Sequence, residues 1–241
     1  MWSLKKILII VLAAVLVLVL GECIFLRIKN MKREKISQVE PPTGSIKLSE
    51  PKLKSDLSIE EAILKRRSIR DYKDEAISLS DISQLLWAAQ GVTDKEKGGR
   101  SAPSAGALYP LEIYLLAGKV EELGEGLYKY NPENHQLIKT LSGDKRTELT
   151  EAAVGQTTIK NAPAIIIITG VYERTRAKYG ERAERYVHLE AGHASQNIYL
   201  QSESLGLGTV SVGAFDDERV KQALGLSNNE TPLYLMPVGK K

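Results

Sequence analysis

The stretch from Arg185 to Phe215, RYVHLEAGHASQNIYLQSESLGLGTVSVGAF, constrains this chain more than any other. Val187, Ala191, Ala194, Ile198 and Leu205 keep helical spacing, the mark of one long helix with a buried stripe. Ala191, Gly192, Ala194 and Ser195 are small, so another backbone can pack close to this helix. Gly206 ends it as a glycine placed just past a helix C-terminus. The chain then turns through Gly208 into a short extended run, Thr209–Gly213. A glycine at a strand end often marks the approach of a ligand or a second backbone. Spacing alone is also compatible with a plain buried helix and a tight turn.

The N-terminus has a different character. Ile7–Leu20 is an unbroken apolar run, and the apolar character continues through Cys23–Leu26 with only Glu22 interrupting. About twenty helical residues cross a hydrocarbon core of about 30 Å. A cleaved signal needs a shorter core and small residues at a cleavage site. Gly21-Glu22-Cys23 makes a poor lipidation site. Residues 1–28 therefore read as a membrane anchor. Five Lys or Arg follow the span against two before it, which places the C-terminal part in the cytoplasm. Residues 29–56, charged and then Pro/Gly/Ser-bearing, read as a tether, and 57–241 as one domain. Net charge supports this division. The whole chain carries +3, but residues 1–35 hold seven Lys or Arg against Glu22 and Glu34, which leaves −2 for the remainder. Such a domain offers no electrostatic case for nucleic-acid binding. Cys23 is the only cysteine, so the domain has no disulfide, cysteine metal site or cysteine nucleophile.

Within the domain, Ser58-Ile59-Glu60-Glu61 is a capping box that starts a helix running to about Arg67. Lys65, Arg66, Arg67, Ser68 and Arg70 follow within six residues. They suit either a solvated basic helix end or a phosphate site built from guanidinium forks and a hydroxyl. A second helix spans Leu79–Gln90 and closes at Gly91, and Asp94–Gly99 is a polar loop. Ser101–Pro110 is a loop of small residues and two prolines able to touch a flat ligand. Leu111–Ala117 reads as a strand, Tyr128 and Tyr130 lead a hairpin, and Asp144–Val154 reads as helix. Ala164–Thr169 (AIIIIT) has the composition of a central strand. Glu173–Arg185 reads as helix and loop, Asp216–Leu224 as helix and Leu233–Val238 as the last strand. The pattern is α+β.

Other chemistries find no support. His188 and His193 are five residues apart, about 140° around a helix, so they do not form the i, i+4 pair of a zinc helix. No metal site is expected. Walker A, strand-linked GxGxxG and GxSxG motifs are all missing.

Three separated pieces together resemble the FMN-dependent nitroreductase-like enzymes, in the form of the SagB/ThcOx branch. They are Arg66-Arg67-Ser68-Ile69-Arg70, Pro103–Glu112 (PSAGALYPLE), and Glu190–Asn197 with Gly206–Thr209 and Gly213–Phe215. The resemblance implies a nitroreductase-like fold, a central mixed sheet flanked by helices. It implies that Arg66, Arg67, Ser68 and Arg70 hold the FMN phosphate and ribityl chain. Pro103, Ser104, Ala105, Gly106 and Leu108 would lie along the cofactor. The Gly213 N–H would face flavin N5 beside Val212, and Lys240 would add a terminal cation at the phosphate. It also implies a homodimer with FMN at the interface. Lys178-Tyr179 resembles a pair that azoline-oxidising members use for proton chemistry, although both also suit an exposed helix. Cationic and donor groups around a flavin raise its potential.

The expected function is hydride transfer from NAD(P)H through FMN to an electron-poor small molecule of the nitro or quinone type. Azoline oxidation on a peptide and a non-catalytic flavin-binding module are the alternatives.

Overall fold

The computed structural model describes Gly44–Lys241 as one unit. The expected anchor, Ile7–Leu26, and the first part of the tether lie outside the described residues. Among the described residues no helix is long and apolar enough to cross a membrane.

The described chain begins with a short strand, β1 (Ser45–Lys47), then α1 (Ile59–Lys65) and α2 (Leu79–Gln90). A small hairpin, β2 (Val92–Asp94) and β3 (Gly99–Arg100), precedes a meander of β4 (Leu111–Ala117), β5 (Gly126–Asn131) and β6 (Gln136–Ser142). Helices α3 (Arg146–Ala152) and α4 (Thr157–Asn161) lead into β7 (Ala164–Gly170). Then come α5 (Tyr172–Tyr179), the long α6 (Ala183–Ser204), β8 (Leu207–Thr209), α7 (Asp217–Leu224) and β9 (Thr231–Lys240). Helix starts follow their caps. The Ser58 hydroxyl accepts from Glu61 N–H while Glu61 reaches back to the Ser58 N–H, which completes the box. Ser78 caps α2 and Asp216 caps α7 in the same way, through Asp81 and Arg219.

The main sheet has the order β1-β6-β5-β4-β7-β9-β8. Every pairing in it is antiparallel, which corrects the mixed sheet expected from the sequence. The isoleucine-rich β7 resembles a parallel strand because both its faces are covered. Ile166 and Ile168 face the layer of α2 and α6, whereas Ile165 and Ile167 face α3, α4 and α7. Alternation along a strand sends neighbours to opposite faces, and here both faces are dry. All four isoleucines are fully buried.

Other boundaries differ from the sequence reading. Ser45–Lys47 pairs with Gln136–Ile138, and Leu48 is buried in the core, so this part of the expected tether packs on the domain. α1 stops at Lys65, and Arg66 has an extended ψ of 122°. The extended run after α6 is β8, two residues earlier than expected, with only Val212 bridging onward to Leu235. The helix α4 lacks a side-chain cap and carries no sequence signal strong enough to separate it from the loop.

Candidate functional site

The Arg66–Arg70 segment is extended chain laid against the β8–β9 edge. Ile69 N–H donates to Thr209 C=O at 2.9 Å, and Lys73 N–H to Lys240 C=O at 3.0 Å. Two strand glycines make that approach possible. A Cβ on Gly208 would stand 2.6 Å from Ile69 Cγ2, and one on Gly239 would stand 2.8 Å from Tyr72 Cβ. Tyr72 fixes the far end of the segment, its hydroxyl 2.8 Å from Ile69 C=O and 3.2 Å from Pro237 C=O. Burial pushes that phenol up to about 12, so it stays neutral.

Within this segment the side chains have different engagements. The Arg66 guanidinium lies over the Tyr199 ring, 5.3 Å from its centroid, and Ser68 Oγ is 3.1 Å from Tyr199 Oη. Arg67 turns back to the end of α1, donating to the carbonyls of Leu64 and Arg66. Arg70 is exposed and makes no side-chain hydrogen bond or ion pair among the described residues. Lys240 sits on the neighbouring strand edge, with Nζ 3.1 Å from Glu75. Such an exposed pair is weak enough to exchange for a ligand anion.

One face of α6 continues this surface. Tyr199 Oη accepts from Ser211 N–H at 2.8 Å, and Ser195 Oγ lies 2.6 Å from Ser211 Oγ. The segment Thr209–Gly213 therefore runs along α6 in reverse, with Gly213 near Ala191. Gly213 is exposed, its N–H donates to no group among the described residues, and the nearest of those to a Cβ there would be Tyr234 Cε1, at 3.8 Å. Beyond it opens a cavity of about 670 Å3 walled by Tyr172, His188, Ala191, Phe215, Tyr234 and Arg176 among others. That volume suits a small-molecule pocket. Tyr172 Oη lies 2.6 Å from His188 Nε2, and burial, with Glu184 and Asp217 nearby, pushes the phenol up to about 12. Val212 is buried beneath, bonded in both directions to Leu235.

The loop Pro103–Leu108 goes elsewhere. Gly106, Ala107 and Tyr109 all have φ between 46° and 64°, and for two non-glycine residues that is strained backbone. Gly106 rests on the end of α5, where an added Cβ would lie 2.8 Å from Tyr179 Oη and 2.9 Å from Lys178 Nζ. The loop and the Lys178–Tyr179 pair thus form one unit. Lys178 Nζ stands 5.6 Å from the Tyr179 ring centroid, and Tyr179 packs edge-on against Tyr186. Arg174 holds the same unit from outside, donating to Tyr109 C=O at 3.0 Å and to Glu112. Ser104 faces Glu190 on α6.

Glu190 and Ser195 are five residues apart, and Glu190 and Tyr199 nine, which is about 140° and 180° around the helix. The Arg66/Ser68/Gly213 surface and the Ser104/Gly106/Lys178/Tyr179 unit are therefore on opposite sides of α6 in one chain. Sequence reading missed the Tyr199 hinge between Ser68 and Ser211, as well as the Tyr172–His188 pair. The i, i+4 spacing of Ser195 and Tyr199 was the only signal for the first. Nothing local pointed to the second.

Comparison with known proteins follows the same lines. A profile of the Nitroreductase family matches residues 63–240. A protein of Methanocaldococcus jannaschii that carries the nitroreductase name is 48% identical over 77% of this chain and 92% of its own length. A crystal structure from Ralstonia eutropha, also named a nitroreductase, superposes with a TM-score of 0.72 at 27% identity, covering 84% of this chain and 91% of that one. The microcin B17-processing protein of Escherichia coli is 26% identical over 62% of this chain and 57% of its own length.

Proposed function

This chain belongs to the nitroreductase family, a family of flavin oxidoreductases, and from that premise we propose that it binds FMN and reduces an electron-poor small molecule at the expense of NAD(P)H. The observation that carries the reading is the N–H of exposed Gly213, unpaired among the described residues, at the mouth of the 670 Å3 cavity, on one surface with Arg66 and Ser68. The residues fit the group. Arg66 and Arg70 offer guanidinium forks for a phosphate, Ser68 a hydroxyl, and Gly213 a donor with no side chain to block a flat ring. Bound there, FMN would supply hydride transfer at N5. The chain's own residues would hold the phosphate and shape the cavity, with the Tyr172–His188 pair in its wall.

The unit of Gly106, Lys178 and Tyr179 supports a second reading, oxidation of an azoline in a peptide substrate, as does the resemblance to a microcin-processing protein. There the Lys178–Tyr179 pair would move the proton. A homodimer fits both readings, because the two halves of the site face opposite ways in one chain. The exposed Ile59, Ile63, Leu64 and Leu189 give such a contact apolar surface. The apolar run Ile7–Leu26 completes the proposal as a membrane anchor with the domain in the cytoplasm. Protease added to intact cells should spare the domain, and its digestion there would reverse the topology.

The flavin reading is tested by purifying the protein and measuring its FMN. About one FMN per chain is expected, bleached by NADPH and recovered on adding a quinone. A colourless protein that takes up no FMN on titration would end the proposal. FMN that binds but never bleaches would leave a binding module.

A further inference from the structure

Tyr199 stands between the two segments on which the proposed site depends. It is 9% exposed, on the face of α6 that meets both Arg66–Arg70 and Thr209–Gly213. Its hydroxyl accepts from the Ser211 N–H at 2.8 Å and lies 3.1 Å from Ser68 Oγ. The Arg66 guanidinium covers its ring, 5.3 Å from the centroid. Ser211 is held on α6 a second time, its Oγ 2.6 Å from Ser195 Oγ. A phenol has one proton to give and lone pairs to receive. With the Ser211 N–H on a lone pair, Tyr199 keeps its proton for Ser68 Oγ. Ser68 is exposed and has Tyr199 as its one side-chain hydrogen-bond partner among the described residues. Its own proton is then free to point outward at an anion.

We propose that Tyr199 is a positioning residue that relays the seating of the FMN phosphate to the segment carrying Gly213. The relay rests on the flavin reading for the identity of the anion. All its donors point one way: Ser211 N–H to Tyr199 Oη, Tyr199 O–H to Ser68 Oγ, Ser68 O–H to the phosphate. Each bond in such a chain polarises the next, and a bond that ends on a charged acceptor is the stronger kind. The phosphate thereby draws Ser211 more firmly onto α6, two residues before the Gly213 N–H. Without an anion Ser68 can instead donate to Tyr199, and the chain has no fixed direction.

Tyr199→Phe keeps the ring under Arg66 and removes only the hydroxyl. Full-length wild type and variant, freed of flavin, are compared with inorganic phosphate, with FMN, and with riboflavin, which lacks the phosphate. Phosphate alone should slow hydrogen exchange of the peptide spanning 209–213 in wild type and leave it unchanged in the variant. FMN should bind wild type more tightly than riboflavin does. That ratio should fall roughly tenfold in Tyr199→Phe, about the weight of a hydrogen bond to a charged group. Per bound flavin, the FMN-loaded variant should oxidise NADPH no faster than riboflavin-loaded wild type. A tyrosine that only fills space would lower both flavin affinities alike and leave their ratio intact. Ser68→Ala, at an exposed position, should fold and abolish the same phosphate response, and the double variant should match it. Phosphate protection that is absent in wild type, or equal in wild type and Tyr199→Phe, would overturn the proposal. So would an unchanged ratio of the two flavins. If Tyr199→Phe does not fold, a phosphate response that survives in Ser68→Ala would overturn it alone. A wild type that takes up neither flavin would end the flavin reading, and the phosphate measurement would then decide the relay by itself.

Discussion

On the proposed reading, Arg70 and Gly213 would separate holding the cofactor from using it. Arg70 is exposed without a partner among the described residues, so its removal should cost the proposed charge-assisted phosphate contact, about 1.5–3 kcal/mol, and little else. Arg70→Ala should lower FMN affinity by one to two orders of magnitude with thermal stability unchanged; an unaltered affinity would put the phosphate elsewhere. At Gly213 the nearest atom to an added Cβ is 3.8 Å away, so Gly213→Val should fold. Its branched side chain would project toward the cavity beside the backbone N–H. FMN should still bind and NADPH oxidation should collapse, and wild-type turnover would show that the reactive edge is not here. Glu190 adds a dependence on pH. Its carboxyl is raised from 4.5 to about 7 by burial, so the folded state holds the proton more tightly than the unfolded chain. That contribution to stability is complete below 4.5 and is lost as pH rises toward 7. The urea midpoint should fall between pH 5 and 8 more steeply in wild type than in Glu190→Gln, and parallel curves would refute it. Arg66, Ser68 and Gly213 were legible as motif residues. Tyr199, which joins Arg66 and Ser68 to Ser211, was not, because a lone tyrosine on a helix has the same pattern whether it fills a core or bridges two loops.

Elements were most legible where caps and punctuation are strong. Ser78 and Gly91 bracket α2, and Asp216 opens α7, as their chemistry requires. The sheet was harder to read. Alternation carries no information when both faces are buried, so β7 gave its position but not the direction of its neighbours. The placement of Arg66–Arg70 was hidden for a different reason: it depends on glycines more than 130 residues away. Gly208 and Gly239 let Ile69 and Tyr72 sit directly on the strand backbone. Gly208→Ala should therefore act at a distance from its own strand. The new methyl would meet Ile69 at 2.6 Å, and Ile69 cannot retreat without losing its bond to Thr209. A cost of about 1–3 kcal/mol is expected for overpacking of this kind, together with weaker FMN binding as Arg66 and Ser68 shift. A stability loss with unchanged FMN affinity would mean that the segment's position does not matter to the ligand.

In the whole molecule, the arrangement around α6 would, on the proposed reading, divide the labour. Arg66, Ser68, Tyr199, Ser211 and Gly213 share one side, while Ser104, Gly106, Lys178 and Tyr179 gather beyond Glu190 on the other. A side chain cannot reach around a helix about 10 Å across. If both sets serve one site, each site draws its phosphate grip from one chain and its loop and Lys178–Tyr179 pair from a second. Mixed dimers distinguish this from a site built within one chain. A chain carrying Arg70→Ala and a chain carrying Lys178→Ala should each be defective alone. Paired in one dimer, they leave one site with both substitutions and one with neither. Co-expression with two different tags, followed by sequential purification, should then yield a heterodimer with one tightly bound FMN and close to half of wild-type turnover. A site contained in a single chain predicts the opposite result, since every chain in that heterodimer carries a defect and no intact site exists. Activity no higher than that of the two parents would therefore exclude the shared site, and recovery to about half would establish it without any structure of the complex.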